Sequence, residues 1–135
     1  MLETLPRWQR GAIAEDRAFQ KYGGIRHPNL HSTIPDLLRV HKGEFEFIEV
    51  KYINLDYFCN LQSRLCQIKS QLTKRKKFLP KGATQRLYVL FDNPEILGWV
   101  TEELSERVWQ AVKDVVDTVE IEVLFRQEEA AADNA

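Results

Sequence analysis

Residues 34–53 constrain this chain more than any other stretch. They read Ile-Pro-Asp-Leu-Leu-Arg-Val-His, then Lys-Gly, then Glu-Phe-Glu-Phe-Ile-Glu-Val-Lys-Tyr-Ile. Two strand-length segments around Lys42-Gly43 predict a β-hairpin. A two-residue loop sets His41 opposite Glu44, and a four-residue loop leaves the pairing unchanged. In either register Asp36 falls across from Glu49. Alternate residues of a strand share a face, so Asp36, Leu38 and Val40 lie with Phe45, Phe47, Glu49 and Lys51. That face is apolar beside the turn and charged at its far end.

Two carboxylates opposed across a strand pair repel each other. A divalent cation between them removes the conflict. Hard oxygen donors suit Mg²⁺, which takes one or two carboxylates and keeps its other positions for water and phosphate. An adjacent lysine can orient or deprotonate a water and stabilise charge on a phosphate. A further acid lies upstream. Trp8, Ala12, Glu15, Phe19 and Tyr22 fall on one face of a helix predicted from Arg7 to Tyr22. Glu15 is costly on such a stripe unless it has a partner. Packing this helix on the sheet would bring Glu15 toward Asp36 and Glu49, with Gly11 permitting close approach.

The remaining elements follow from periodicity. A short strand is expected within 25–33, a strand over 34–41 and another over 44–53. A long helix is predicted from Tyr57 to Leu79, with a buried stripe of Phe58, Leu61, Leu65, Ile68 and Leu72. Leu87 to Phe91 is an unbroken apolar run, the mark of a strand covered on both faces. Asn93-Pro94 is expected to turn the chain. A helix over 102–114 and a strand from Val119 to Phe125 complete the order α-β-β-β-α-β-α-β. The expected fold class is α/β, a mixed sheet flanked by helices. Residues 1–126 form one domain, and 127–135 are expected to be a frayed tail.

Charge is unevenly distributed in this 135-residue chain of net charge -1. Residues 1–91 hold 16 Lys and Arg against 8 Asp and Glu, whereas residues 92–135 hold 3 against 12. Residues 57–86 contain Arg64, Lys69, Lys74, Arg75, Lys76, Lys77, Lys81 and Arg86 and no acid. Such a local field attracts a polyanion whatever the total charge. Arg64, Lys69, Lys74, Arg75, Lys76, Lys77 and Lys81 are therefore candidate phosphate contacts. No apolar run approaches the ~20 residues of a membrane span, and the first ten residues lack the apolar stretch of a secretory leader. A cytoplasmic protein is expected. Cys59 and Cys66 are read as reduced packing residues, two helical turns apart and too distant for a disulfide. His27 and His31 flank Pro28, which argues against a helical zinc pair. Phosphate-loop and zinc-finger spacings are absent.

The set Gly11-x-x-x-Glu15, Ile34-Pro35-Asp36 and Ile48-Glu49-Val50-Lys51, in this element order, resembles the PD-(D/E)XK nuclease superfamily over residues 7 to 92. The resemblance implies a restriction-endonuclease-like α-β-β-β-α-β core. It implies Asp36 and Glu49 as metal ligands, the Val50 carbonyl as a third, Lys51 as the catalytic lysine and Glu15 as a first-helix acid supporting the metal. It also points to Gln67 as a polar residue on the second long helix near the site. The cofactor implied is Mg²⁺, with Mn²⁺ as a substitute, and the substrate is DNA. Among branches, archaeal-type Holliday junction resolvases are similar in size and motif spacing, with Ser32 a positional candidate for their serine. Homing and restriction endonucleases share the core and are the main rivals. A unit this small makes one cut, so a homodimer or higher homo-oligomer is expected for two strands. A non-catalytic DNA-binding module on the same fold is the alternative outside enzymes.

Overall fold

The computed structural model describes residues 7–26, 36–56, 59–94 and 99–126. Ser32, Ile34, Pro35, both histidines of the 27–31 stretch, Phe58 and the 127–135 tail lie outside the described residues. The element order is α1 (Arg7–Tyr22), β1 (Ile25–Arg26), β2 (Leu37–His41), β3 (Glu44–Asn54), α2 (Leu61–Lys76), β4 (Thr84–Pro94), α3 (Thr101–Val112) and β5 (Thr118–Arg126). The predicted α/β class and element order hold.

One five-stranded sheet runs β1-β2-β3-β4-β5. The first three strands form an antiparallel meander, and β3–β4 and β4–β5 are parallel. The hairpin register is the one expected, with His41 opposite Glu44 and Leu37 opposite Ile48. Lys42 and Gly43 both have positive φ, 52° and 80°. That conformation gives a two-residue turn the twist the strands require, and Gly43 adopts it without strain.

β4 explains the unbroken apolar run. Leu87, Val89 and Phe91 enter a core with Ile53, α2 and α3. Tyr88 and Leu90 enter a second core with Leu37, Ile48, Val50 and α1. β4 also continues through Asn93 and Pro94, where a turn is expected from the sequence. At that level β4 has outrun β3, whose pairing ends at Asn54–Asp92, and only β5 remains beside it. A proline there faces no ladder on one side.

Three local expectations are corrected. The buried face of α1 centres on Ala14 and Ala18, while Phe19 is 39% exposed. Small residues let the helix lie close to the sheet, and Glu15 sits on the rim of the contact. Helix α2 begins at Leu61 rather than near Tyr57, because the Asn60 side chain accepts the Ser63 N–H as an N-cap at 3.0 Å. Cys59 therefore precedes the helix; both thiols are free, and Cys66 is exposed rather than packed.

Both acids of β5 meet bases of α1, and Glu120 also meets one of β4. Glu122 pairs with Arg17 and accepts the Tyr88 hydroxyl at 2.6 Å. Glu120 pairs with Lys21, accepts the Tyr22 hydroxyl and lies 3.5 Å from Arg86. Partial burial pushes the Glu120 carboxyl up, but the contacts from Lys21 and Tyr22 outweigh it and hold the group below the usual carboxylate range. Buried Glu46 bridges Arg39 at 2.7 Å and Arg86 at 3.2 Å. The guanidinium groups of Arg39 and Arg86 lie 4.9 and 5.1 Å from the centre of the Tyr22 ring. Among the described residues no helix is long and apolar enough to cross a membrane.

Candidate active site

The charged end of the hairpin is built by β2, β3 and α2. Asp36 immediately precedes β2, and its Oδ2 accepts the Val50 N–H at 2.8 Å. This bond fixes the carboxylate just beyond the hairpin's last pair, Leu37 opposite Ile48, and beside the Glu49–Val50 segment of β3. Glu49 is 3% exposed, and of its two cationic partners the sequence suggests only Lys51. Lys51 Nζ lies 2.9 Å from Oε2, and the Arg75 guanidinium pairs with Oε1. Lys51 also donates to Gln71 Oε1 at 2.5 Å.

The electrostatics link these groups further. Burial lowers the proton affinity of Lys51; Asp36 opposes that shift and Arg64 reinforces it. Burial likewise weakens the hold of Arg75 on its proton, again opposed by Asp36. Glu15 is raised by burial first and by Asp36 second, with Arg26, 3.7 Å away, pulling the other way. Glu15 therefore feels the charge of Asp36, although α1 packs on the sheet face opposite α2. Two of its neighbours are acids, so a cation near Asp36 would relieve both.

Several sequence expectations change here. Arg75 is not a surface phosphate contact; it is 4% exposed and locked on Glu49. Gln67 is exposed, and Gln71, one turn later, is the glutamine that reaches the lysine. Lys69, Lys74, Lys76, Lys77 and Lys81 are exposed as expected, with Lys76 Nζ donating to the Asp114 carbonyl at 3.1 Å. Arg64 is half-buried beside the site, donating to the Tyr52 carbonyl at 3.4 Å. Gly11 does not serve close packing, since a Cβ added there meets no atom of the described residues within 4 Å.

A signal for Arg75 lay in the sequence. The buried positions of α2 run Leu61, Leu65, Ile68, Leu72, and the next step of that stripe is 75. A charged residue on an apolar stripe requires a buried partner, and in the structure that partner is Glu49.

The chain matches no family model, no curated protein and no solved structure at a significant level. The chemistry therefore rests on the donors themselves. Among the described residues no group of three or more His, Cys, Asp or Glu gathers as a ready metal cage. Mg²⁺ does not require one, because one or two carboxylates and several waters suffice. Asp36, bonded to the Val50 N–H, and Glu49, the residue before Val50, supply two hard-oxygen donors, with Glu15 within electrostatic reach of Asp36. The set fits such an ion, provided Arg75 yields or shares Glu49. When bound, the ion would polarise a phosphate and acidify a water. Lys51 stands beside Glu49, held by Gln71, where it can hold a water or neutralise charge on phosphate oxygen.

Proposed function

We propose that this protein is a Mg²⁺-dependent endodeoxyribonuclease that hydrolyses DNA phosphodiester bonds, built on a restriction-endonuclease-like core. One observation carries the reading. Buried Glu49 pairs with half-buried Lys51, Asp36 accepts the N–H of Val50 between them, and Gln71 holds the lysine at the edge of an open cleft. An ordinary cross-strand ion pair lies exposed on the sheet and needs no such support. In this reading Asp36 and Glu49 hold the metal, aided by Glu15 and the Val50 carbonyl. Lys51 assists the attacking water. Lys69, Lys74, Lys76, Lys77 and Lys81 contact phosphates. Such contacts position DNA without specifying sequence, which favours a structured substrate such as a four-way junction, cut by a homodimer. Homing or restriction-type cleavage is the rival on the same site.

Supercoiled plasmid tests the activity. Nicked and linear products are expected with Mg²⁺ or Mn²⁺ and none with EDTA. A four-way junction, a flap and random duplex run side by side distinguish shape from sequence. A second reading has its own support: both Glu49 oxygens already carry a cationic partner, as they would in an inert DNA-binding module. That module would bind the same DNAs and leave the plasmid supercoiled under every metal.

Lys51→Met separates the lysine's roles. It is expected to leave Mg²⁺ affinity within about threefold of wild type and to slow single-turnover cleavage by ~10²-fold or more, the usual scale for a positioned acid–base or electrostatic group. Weakened DNA affinity with an unchanged rate constant would make Lys51 a phosphate contact only.

A further inference from the structure

Beside Lys51 a cleft of about 570 Å³ opens between α1, the C-terminal end of β3 and the first turn of α2. Its walls include Gly11, Lys51, Tyr52, Asp56, Ser63 and Arg64. That volume lies in the range of sites that hold a small organic ligand. Two cations face it against one carboxylate. Arg64 makes no ion pair with any carboxylate among the described residues, and its bond to the Tyr52 carbonyl is long. Lys51 already pairs with Glu49, which leaves Arg64 as the lining cation without a carboxylate partner among the described residues, and a guanidinium so placed suits a phosphate.

Gly11 supplies the second observation. It lies inside α1, where glycine costs about 1 kcal/mol relative to alanine. Its φ is not positive, and a Cβ there would meet nothing in the described protein. Among the described residues neither backbone geometry nor helix packing asks for glycine at this position. What a side chain at position 11 would occupy is the cleft.

We propose that this cleft is a subsite for one nucleotide flanking the scissile phosphate, with its far phosphate on Arg64 and with room made by the bare Cα of Gly11. The inference rests on the nuclease reading for the word scissile, since Lys51 belongs to both cleft and reaction site. The binding of a nucleotide phosphate can be tested without cleavage.

Thymidine 3′,5′-bisphosphate, titrated into the full chain and followed by amide NMR, is the probe. In wild type the amides of residues 50–54 and 60–64 are expected to shift and saturate. Gly11→Leu, which fills the cleft while favouring the helix, is expected to raise Kd at least tenfold, about 1.4 kcal/mol, with a melting temperature no lower than wild type. Arg64→Gln is expected to weaken binding by about tenfold, the loss of one charge-assisted hydrogen bond. Arg64→Lys is expected to recover part of that loss. Absence of cleft shifts in wild type up to about 10 mM ligand, where even millimolar affinity saturates, overturns the subsite. So does undiminished binding in Gly11→Leu. The two proposals fail separately: bisphosphate binding in the cleft with an uncut plasmid sinks the nuclease and leaves the subsite, and cleavage with an unresponsive cleft does the reverse.

Discussion

Asp36→Asn is expected to abolish metal-dependent cleavage, to below ~10⁻³ of the wild-type rate, while the protein remains folded. The asparagine oxygen can still accept the Val50 N–H, which the aspartate accepts at 2.8 Å, so the strand end keeps its hydrogen bond. What it loses is the formal charge that a hard divalent cation requires of its few protein ligands. Calorimetry should find the Mg²⁺ heat lost or the affinity reduced by at least tenfold, with unfolding in urea little changed. The acid left behind also responds. Asp36 raises the proton affinity of Glu15, so neutralising Asp36 should ease the ionisation of Glu15 in the folded protein. Normal turnover by Asp36→Asn would remove Asp36 from the site and the metal assignment with it.

The second large effect concerns stability. Arg75→Met keeps much of the arginine's length and removes its charge, leaving Glu49 with Lys51 alone. Both members of the Arg75–Glu49 pair are almost fully buried. Breaking such a pair from one side costs about 3–5 kcal/mol when the remaining charge has no other partner, and Lys51, still on Glu49 Oε2, brings the expected loss toward or below the lower end. Metal-free Arg75→Met is therefore expected to unfold at markedly lower urea, with an unchanged slope. Mg²⁺ should then stabilise the variant more than the wild type. In the wild type an incoming ion must share Glu49 with a resident guanidinium, whereas in the variant it replaces one. Ligand-linked stabilisation follows RT ln(1 + [L]/Kd), so a tighter Kd reads directly as a larger gain. Equal stability of the two proteins without metal would show that Arg75 is not the counterion of Glu49. Equal gains on adding Mg²⁺ would show that the ion does not approach this carboxylate.

The pair also corrects an expectation carried by the sequence. Two carboxylates facing each other suggest relief when either is removed. In the structure Glu49 is already neutralised, and taking it away would strand Arg75 and loosen Lys51. The repulsion that stays is the one Asp36 exerts on Glu15, while the same carboxylate supports the charge on Lys51 and Arg75.

The hairpin was legible because three independent cues agreed: alternation, a Lys-Gly turn and an apolar face that only one register keeps together. β4 was legible from its composition alone. The face of α1 was not, because alanines at 14 and 18 carry little apolar signal beside Phe19 and Tyr22, yet they alone allow close contact with the sheet. The basic run at 74–77 was read as one surface because adjacent residues of like charge look alike in sequence. A helix turns 100° per residue, and it sends Arg75 inward while Lys74, Lys76 and Lys77 stay in water. Gln71 was passed over for Gln67 for the same reason. Which turn of α2 lies over Lys51 is set by the cap at Asn60, and the expected helix start placed that cap too early.

Helix α1 is fastened to the sheet differently from α2 and α3. Its apolar contribution is small, two alanines with half-buried Ile13 and Tyr22, and its longer side chains reach Glu120 and Glu122 as partly exposed ion pairs. Contacts of that kind are weak singly and are screened by salt, whereas the apolar seam of α2 and α3 is not. The candidate site straddles this divide. Asp36, Glu49, Lys51 and Arg75 belong to the part that stays put as ionic strength rises. Glu15 and Gly11 ride on α1, whose ion pairs weaken with salt, so in the proposed reading ionic strength would act on one wall of the cleft as well as on the contacts with a polyanion.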